Sequence, residues 1–201
     1  MAGPARFDYR RSMSALAFAV FETAIGACAI VWNPRGIAGV QLPEANAAAT
    51  RSRVVRRFSA ARETVPPPEV QNAIDGIVAL LRGERRDLSD IALDLETLPA
   101  FNRKVYDIAR AIPPGATLTY GEVAERLGDK LLARAVGQAL GENPIPLIVP
   151  CHRVLAAGGK SGGFSASGGV VTKLRLLTIE GAQPGGPTLF EDLPLQARQP
   201  N

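Results

Sequence analysis

Histidine is almost absent from this chain, with a single residue, His152, among 201. Cysteine is nearly as scarce, and Cys28 and Cys151 sit in unrelated contexts. Two separated thiols are too few for a disulfide framework, and with one imidazole they make no zinc site. Neither a metal nor a cofactor is therefore expected. Free thiols in a reducing compartment make the protein a cytoplasmic one, with a single Cys28–Cys151 bridge in a secreted protein as the alternative. No uninterrupted apolar run is long enough to span a bilayer, so no membrane partner is expected. Arg6, Arg10 and Arg11 ahead of the stretch from Met13 to Phe21 imitate a secretory leader, with Ala27-Cys28-Ala29 as its cleavage site. Glu22 and Thr23 interrupt that run, which reads better as the start of β structure.

What is present is an ordinary globular balance, 46% hydrophobic and 21% charged. The length suits one large domain or two small ones. A net charge of +4 is compatible with a nucleic-acid partner without establishing one.

The first dozen residues form a loose leader. Leu16 to Leu42 favours strands, with Ala27–Trp32 and Ile37–Leu42 joined by the turn Asn33-Pro34-Arg35-Gly36. Ala45 to Ala61 is a basic helix whose Arg51, Arg53, Arg56 and Arg57 form a solvated face, or alternatively a phosphate-binding patch. After Pro66-Pro67-Pro68, apolar spacing at Val70, Ile74, Ile77, Val78 and Leu81 predicts a helix over Glu69–Arg82. Weak alternation over Leu88–Leu95 suggests a further strand, and the unit closes near Pro99.

The second half is punctuated more sharply. Phe101–Ile112 reads as a helix stopped by Pro113-Pro114-Gly115. Thr119 and Glu122 have capping-box spacing and start a short helix through Leu127. After Gly128-Asp129, Lys130–Gly141 forms a second helix, giving a helix-turn-helix pattern that a plain helical hairpin also satisfies. The prolines of Asn143–Pro150 exclude helix and impose extended geometry, delivering Cys151 from a stiff approach. Ala156–Gly169 is a loop, and Gly169–Glu180 is a helix with Val170, Leu174 and Leu177 inward, ended by Gly181. Residues beyond Gln183 form a tail.

The chemistry gathers at Cys151-His152-Arg153. A cysteine attacks as its thiolate, and an adjacent base or positive charge promotes that form. His152 and Arg153 are candidates, yet neighbours on an extended segment point opposite ways, so contact needs a turn, a helix start or a bridging water. A helix start would add its dipole to stabilise the thiolate. The plainer alternative makes Cys151 a small core residue and His152 a satisfied surface one.

Asn143-Pro-Ile-Pro-Leu-Ile-Val-Pro-Cys-His-Arg-Val154 resembles the active-site motif of the O6-alkylguanine-DNA alkyltransferases, the methylated-DNA–protein-cysteine methyltransferases. The likeness extends upstream through Arg134–Leu140 and the Phe101–Tyr120 block, and downstream through Gly168-Gly169, Lys173, Leu176-Leu177 and Glu180. It covers Phe101 to Gly181; the N-terminal half is similar only in layout. The resemblance implies an α+β fold: a small ribonuclease-H-like domain over 1–98, a helix-turn-helix alkyltransferase domain over 99–183 and a flexible tail over 184–201. It implies irreversible, single-turnover transfer of an alkyl group from O6-alkylguanine, and O4-alkylthymine, in double-stranded DNA to Cys151.

The site residues follow from the same resemblance. Cys151 is the acceptor, His152 deprotonates it through a water, Glu180 orients His152, and Asn143 braces the turn. Tyr120 swings the nucleotide and protonates the departing guanine. Arg134 fills the gap left by the flipped base. Ala133, Ala135 and Gly137 allow close approach to the minor groove. The Cys151 and Val154 carbonyls accept from the guanine amino group, and Ser165 contacts O6. The implied protein is a monomer without cofactor or metal. Two departures stand out: the Gly158–Ser167 loop is longer than usual, and Phe164-Ser165 replaces Tyr-Ser, which leaves the alkyl range open. A non-repairing lesion binder would lack Cys151. A plain transcription factor would not need it, and a cysteine hydrolase would turn over repeatedly without preferring DNA.

Overall fold

The computed structural model describes residues 16–182; the expected leader and the tail over 184–201 lie outside them. The alternating residues of Cys28–Asn33 (β2) explain why this strand sits inside a sheet. Cys28, Ile30 and Trp32 join the main core, whereas Ala29 and Val31 face a second cluster with Phe18 and Val54. β2 pairs antiparallel with Ala17–Phe21 (β1) and with Gly36–Gln41 (β3), and the sheet order is β3-β2-β1-β4, with Arg62–Glu63 (β4) parallel to β1. Gly36 has φ +140°, and a Cβ there would meet the Ala92 carbonyl oxygen at 2.5 Å, so the turn requires glycine.

Helix α1 (Ala47–Arg57) covers one face of the sheet through Thr50 and Val54, capped by Asn46, whose side chain accepts from Ala49 N at 2.9 Å. Helix α2 (Pro68–Leu81) begins on a proline, and its Val70, Ile74, Ile77 and Leu81 are buried as their spacing predicts.

Leu88–Leu95 is not a strand. Ile37 N donates to Ala92 O and Asp94 N donates to Ile37 O, which leaves one isolated bridge between Ile37 and Leu93. The Asp87 side chain competes with any longer ladder. Asp87 accepts from Ser89 N, and Asp94 accepts from Asn33 and Arg35 while also capping Glu96 N.

Helix α3 (Ala100–Arg110) packs on the pair that follows, and Tyr106 Oη donates to Ala139 O at 2.9 Å. Leu118–Thr119 (β5) leads into α4 (Tyr120–Arg126), where the Thr119–Glu122 capping box forms in full. The expected single helix over Lys130–Gly141 divides into a 3-10 turn, Lys130–Leu132, and α5, Ala133–Gly141. Asp129 accepts from Leu131 N and tightens that first turn. Val154–Leu155 (β6) pairs parallel with β5, and α6 spans Gly169–Ile179.

The inward face of α6 keeps the expected Leu177 but otherwise differs from expectation. Val170 and Leu174 are exposed at 39% and 36%, while Lys173, Leu176 and Leu177 are buried with Glu180. Two charged residues occupy the inner stripe because both have partners inside, so apolar spacing misplaced the face. The main apolar cluster runs from the sheet through α2 to α5 and Leu176. No helix among the described residues is long and apolar enough to cross a membrane.

Candidate active site

Asn143 organises the approach to Cys151. Its Oδ1 accepts from Ile145 N at 2.9 Å and its Nδ2 donates to Val149 O at 2.8 Å. Those bonds fold Asn143–Pro150 into a compact double turn rather than the extended segment its prolines suggested. Val149 N closes on Ile145 O, and Leu147 is held at φ +74°. Pro150 then adopts φ −80° and ψ 66°, and Cys151 N donates to Val149 O at 2.8 Å, an inverse γ-turn. Cys151–Arg153 form a 3-10 turn that runs into β6.

The imidazole of His152 is buried, and its Nε2 lies 2.9 Å from Glu180 Oε1. The same carboxylate accepts from Arg153 Nε and Nη2 at 2.8 Å each, and Arg153 Nη1 donates to Ile112 O. Burial alone would raise the Glu180 carboxyl, but the His152 and Arg153 hydrogen bonds carry it down to about 2. An ionised Glu180 fixes the proton of His152 on Nε2. Nδ1, which has no hydrogen-bond partner among the described residues, is left as a free base. Burial also lowers the His152 pKa against the pull of Glu180, so the ring is neutral at pH 7.

Burial raises the Cys151 thiol; the hydrogen bond from Asn143 and the charge of Lys173 oppose it. The short 3-10 turn does not overcome that burial, contrary to a thiolate stabilised at rest by a helix start. Arg153 is committed to Glu180, and the cation acting on the sulfur is Lys173, a residue to which sequence reasoning assigned no role. Its ammonium is fully buried, donates to Val154 O at 2.6 Å, and lies 5.7 Å from the centre of the Tyr120 ring. Spacing carried a signal: positions 173, 176, 177 and 180 share one helical face.

Cys151, 8% exposed, opens onto a cleft of about 470 Å³ lined also by Tyr120, Gly137, Leu140, Phe164 and Ser165. Tyr120 is half-buried at the start of α4; burial and the charge of a Cys151 thiolate both raise its phenol. Gly137 packs beside that ring, where a Cβ would come within 3.8 Å of it. Gly162 of the long loop lies closer still, and a Cβ there would stand 2.9 Å from the Tyr120 hydroxyl.

Two expected substrate contacts are already engaged. Ser165 Oγ donates to Gly141 O at 2.7 Å, so a hydrogen bond to O6 requires that hydroxyl to release Gly141. The Val154 carbonyl accepts from Lys173 and keeps one lone pair. Arg134 is exposed near the start of α5, between the half-buried Ala133 and Ala135. Leu131, also unassigned by sequence, stands nearby at 88% exposure.

The arrangement brings Cys151, His152, Glu180, Asn143 and Tyr120 to one place, and leaves Arg134 on the surface of the helix that walls the cleft. Residues 100–182 match the family described as 6-O-methylguanine DNA methyltransferase, DNA binding domain. A Methanothermobacter thermautotrophicus methylated-DNA–protein-cysteine methyltransferase is 36% identical over 157 residues, 78% of this chain and 81% of that protein. A Thermus thermophilus DNA base-flipping protein is 40% identical over 120 residues, 57% of this chain and 79% of its own length. Among solved structures, Mycobacterium tuberculosis OGT in complex with DNA matches with a TM-score of 0.67 at 31% identity, covering 82% of this chain and 92% of that one.

Proposed function

The chain belongs to the methylated-DNA–protein-cysteine methyltransferase family, and we propose that it repairs DNA by moving the alkyl group of O6-alkylguanine, and of O4-alkylthymine, onto Cys151. One observation carries this reading. The only thiol that opens onto a cleft also follows directly from the Asn143-braced turn and precedes the buried His152–Glu180 pair.

His152 Nδ1 takes the thiol proton, through a water, and the thiolate attacks the alkyl carbon. The S–C bond forms as the O6–C bond breaks, and guanine leaves with a proton supplied by Tyr120. The product is a thioether with no good leaving group, so each molecule acts once. A base stacked in a duplex is out of reach of a buried sulfur, so the nucleotide is extruded at a cost of a few kcal/mol. Arg134 fills the vacated stack. Ala133, Ala135 and Gly137 allow α5, the second helix of a helix-turn-helix, to enter the minor groove. The Cys151 and Val154 carbonyls accept from the guanine amino group, and Ser165 contacts O6 once released from Gly141.

We read residues 1–98 as a ribonuclease-H-like domain and 99–183 as the alkyltransferase domain of a cytoplasmic monomer. The test is the intact mass after incubation with an O6-methylguanine duplex. One methylene is gained per molecule at Cys151, and Cys151→Ser gains none. An unchanged mass on a lesion duplex, as for a protein that flips the base without chemistry, overturns the reading.

A further inference from the structure

Of the large apolar side chains left exposed among the described residues, Leu131 is the one on the α4–α5 pair; the others lie on α1, on α6 and at Val65. It is 88% exposed, whereas its neighbour Leu132 packs against the main apolar cluster. A lone surface leucine is ordinary in itself. This one is held in a fixed place. Asp129 caps the 3-10 turn by accepting from the Leu131 N–H at 2.8 Å, which ties the backbone of the leucine at the start of α5.

Its position also leads towards the reactive sulfur. Leu131, Arg134 and Gly137 follow at three-residue spacing across the junction of the 3-10 turn with α5, so they run down one side of the helix. Gly137 lines the cleft that holds Cys151, and Arg134 stands exposed one turn outside it. Leu131 is the next turn out. The cation on that turn, Lys130, is paired with Glu125 at 3.1 Å, which leaves the apolar tip of Leu131 as the free group beyond Arg134. A side chain that stays in water adds nothing to the folded chain by burial. It contributes only when another surface covers it.

We propose that Leu131 is an apolar wedge for the lesion duplex, lodging in the minor groove one turn from Arg134 and holding open the base step beside the gap that the arginine fills. The inference rests on the entry of α5 into the groove proposed above and adds a residue to it. A leucine inserted at a base step unstacks it in part and bends the duplex, which lowers the remaining cost of extruding the neighbouring nucleotide. The contact is made by hydrocarbon rather than by charge, so salt does not screen it.

Binding of an O6-methylguanine duplex is measured in a Cys151→Ser background, which holds the complex before transfer, over a range of KCl concentrations. Leu131→Ala weakens binding about tenfold at every concentration, as expected for one lost apolar contact. The slope of log Kd against log salt is unchanged, and Leu131→Met recovers most of the loss. Leu131→Lys instead steepens the slope by about one, the mark of an added phosphate contact, and does not restore affinity at high salt. A 2-aminopurine beside the lesion brightens on binding, and brightens less with Leu131→Ala. With Cys151 intact, Leu131→Ala keeps the wild-type melting temperature and the wild-type rate with free O6-benzylguanine, so its loss on the duplex is not a loss of folded protein. A fall below twofold, a fall that vanishes at high salt, or an unaltered 2-aminopurine signal overturns the wedge. So does an equal fall in rate on the free base. A change in the oligomeric state of the free protein with Leu131→Ala assigns the leucine to a contact between copies instead. Failure of Cys151→Ser itself to bind the lesion duplex refutes the DNA reading above, whatever Leu131 does.

Discussion

Lys173 Nζ donates to the Val154 carbonyl at 2.6 Å, and both residues are fully buried. Burial holds the ammonium down to about 8, against the opposing pull of a Cys151 thiolate. A cation is thus stored beside the sulfur, screened from water by the strand it anchors. Replacing it by Lys173→Met removes the side-chain charge that favours the thiolate, and the apparent thiol pKa rises. The pH dependence of Cys151 modification by iodoacetamide reads this directly. An unmoved midpoint contradicts the role.

Glu180 accepts three hydrogen bonds from His152 and Arg153. Glu180→Gln leaves a buried guanidinium without its counter-charge, at a cost of about 3–5 kcal/mol in urea unfolding at pH 7. The sign with pH follows from a folded pKa near 2, below that of the unfolded chain. Its contribution is complete above the ordinary carboxylate range and disappears as the pH falls towards 2. The gap between wild type and variant therefore narrows in acid. A gap that is constant from pH 7 to pH 3 disagrees.

Because burial lowers the His152 pKa, the imidazole remains neutral and basic below the usual histidine range. The acid limb of the alkyl-transfer rate should therefore fall below pH ~6.5, the value of an unperturbed ring. A midpoint at or above that value means that His152 is charged at rest and is not the base.

Arg134 is exposed and makes no side-chain bond among the described residues. Arg134→Ala should leave stability within about 0.5 kcal/mol, as for other surface changes. It should slow reaction with a lesion duplex at least tenfold, equivalent to about 1.4 kcal/mol of lost stacking support. Transfer from free O6-benzylguanine needs no extrusion and should persist. Equal losses on both substrates contradict the wedge role.

Much of the scaffold was legible because one physical signal dominated each element. Apolar spacing placed α2, and the Thr119–Glu122 pair placed the start of α4. Misreadings arose where side chains compete for backbone groups. Asp87 takes the Ser89 N–H that a strand over 88–95 needs, and Asn143 folds a segment whose prolines alone suggest extension. The two-residue pairing of β5 with β6 carries no pattern at all.

At the site, the adjacency of Cys151 and His152 marked the place, and Glu180 came from family resemblance. The inner stripe of α6 was misassigned because hydrophobicity counts Lys173 and Glu180 as outward residues. Their partners, the Val154 carbonyl and the Arg153 guanidinium, lie 19 and 27 residues away, beyond the reach of any local rule.

Glu180 caps the last described helix and lies 28 residues beyond His152. During synthesis the cysteine and histidine therefore leave the ribosome well before the carboxylate that completes them. On the proposed mechanism, the base assembles only once that helix has folded back onto the Cys151–Arg153 turn.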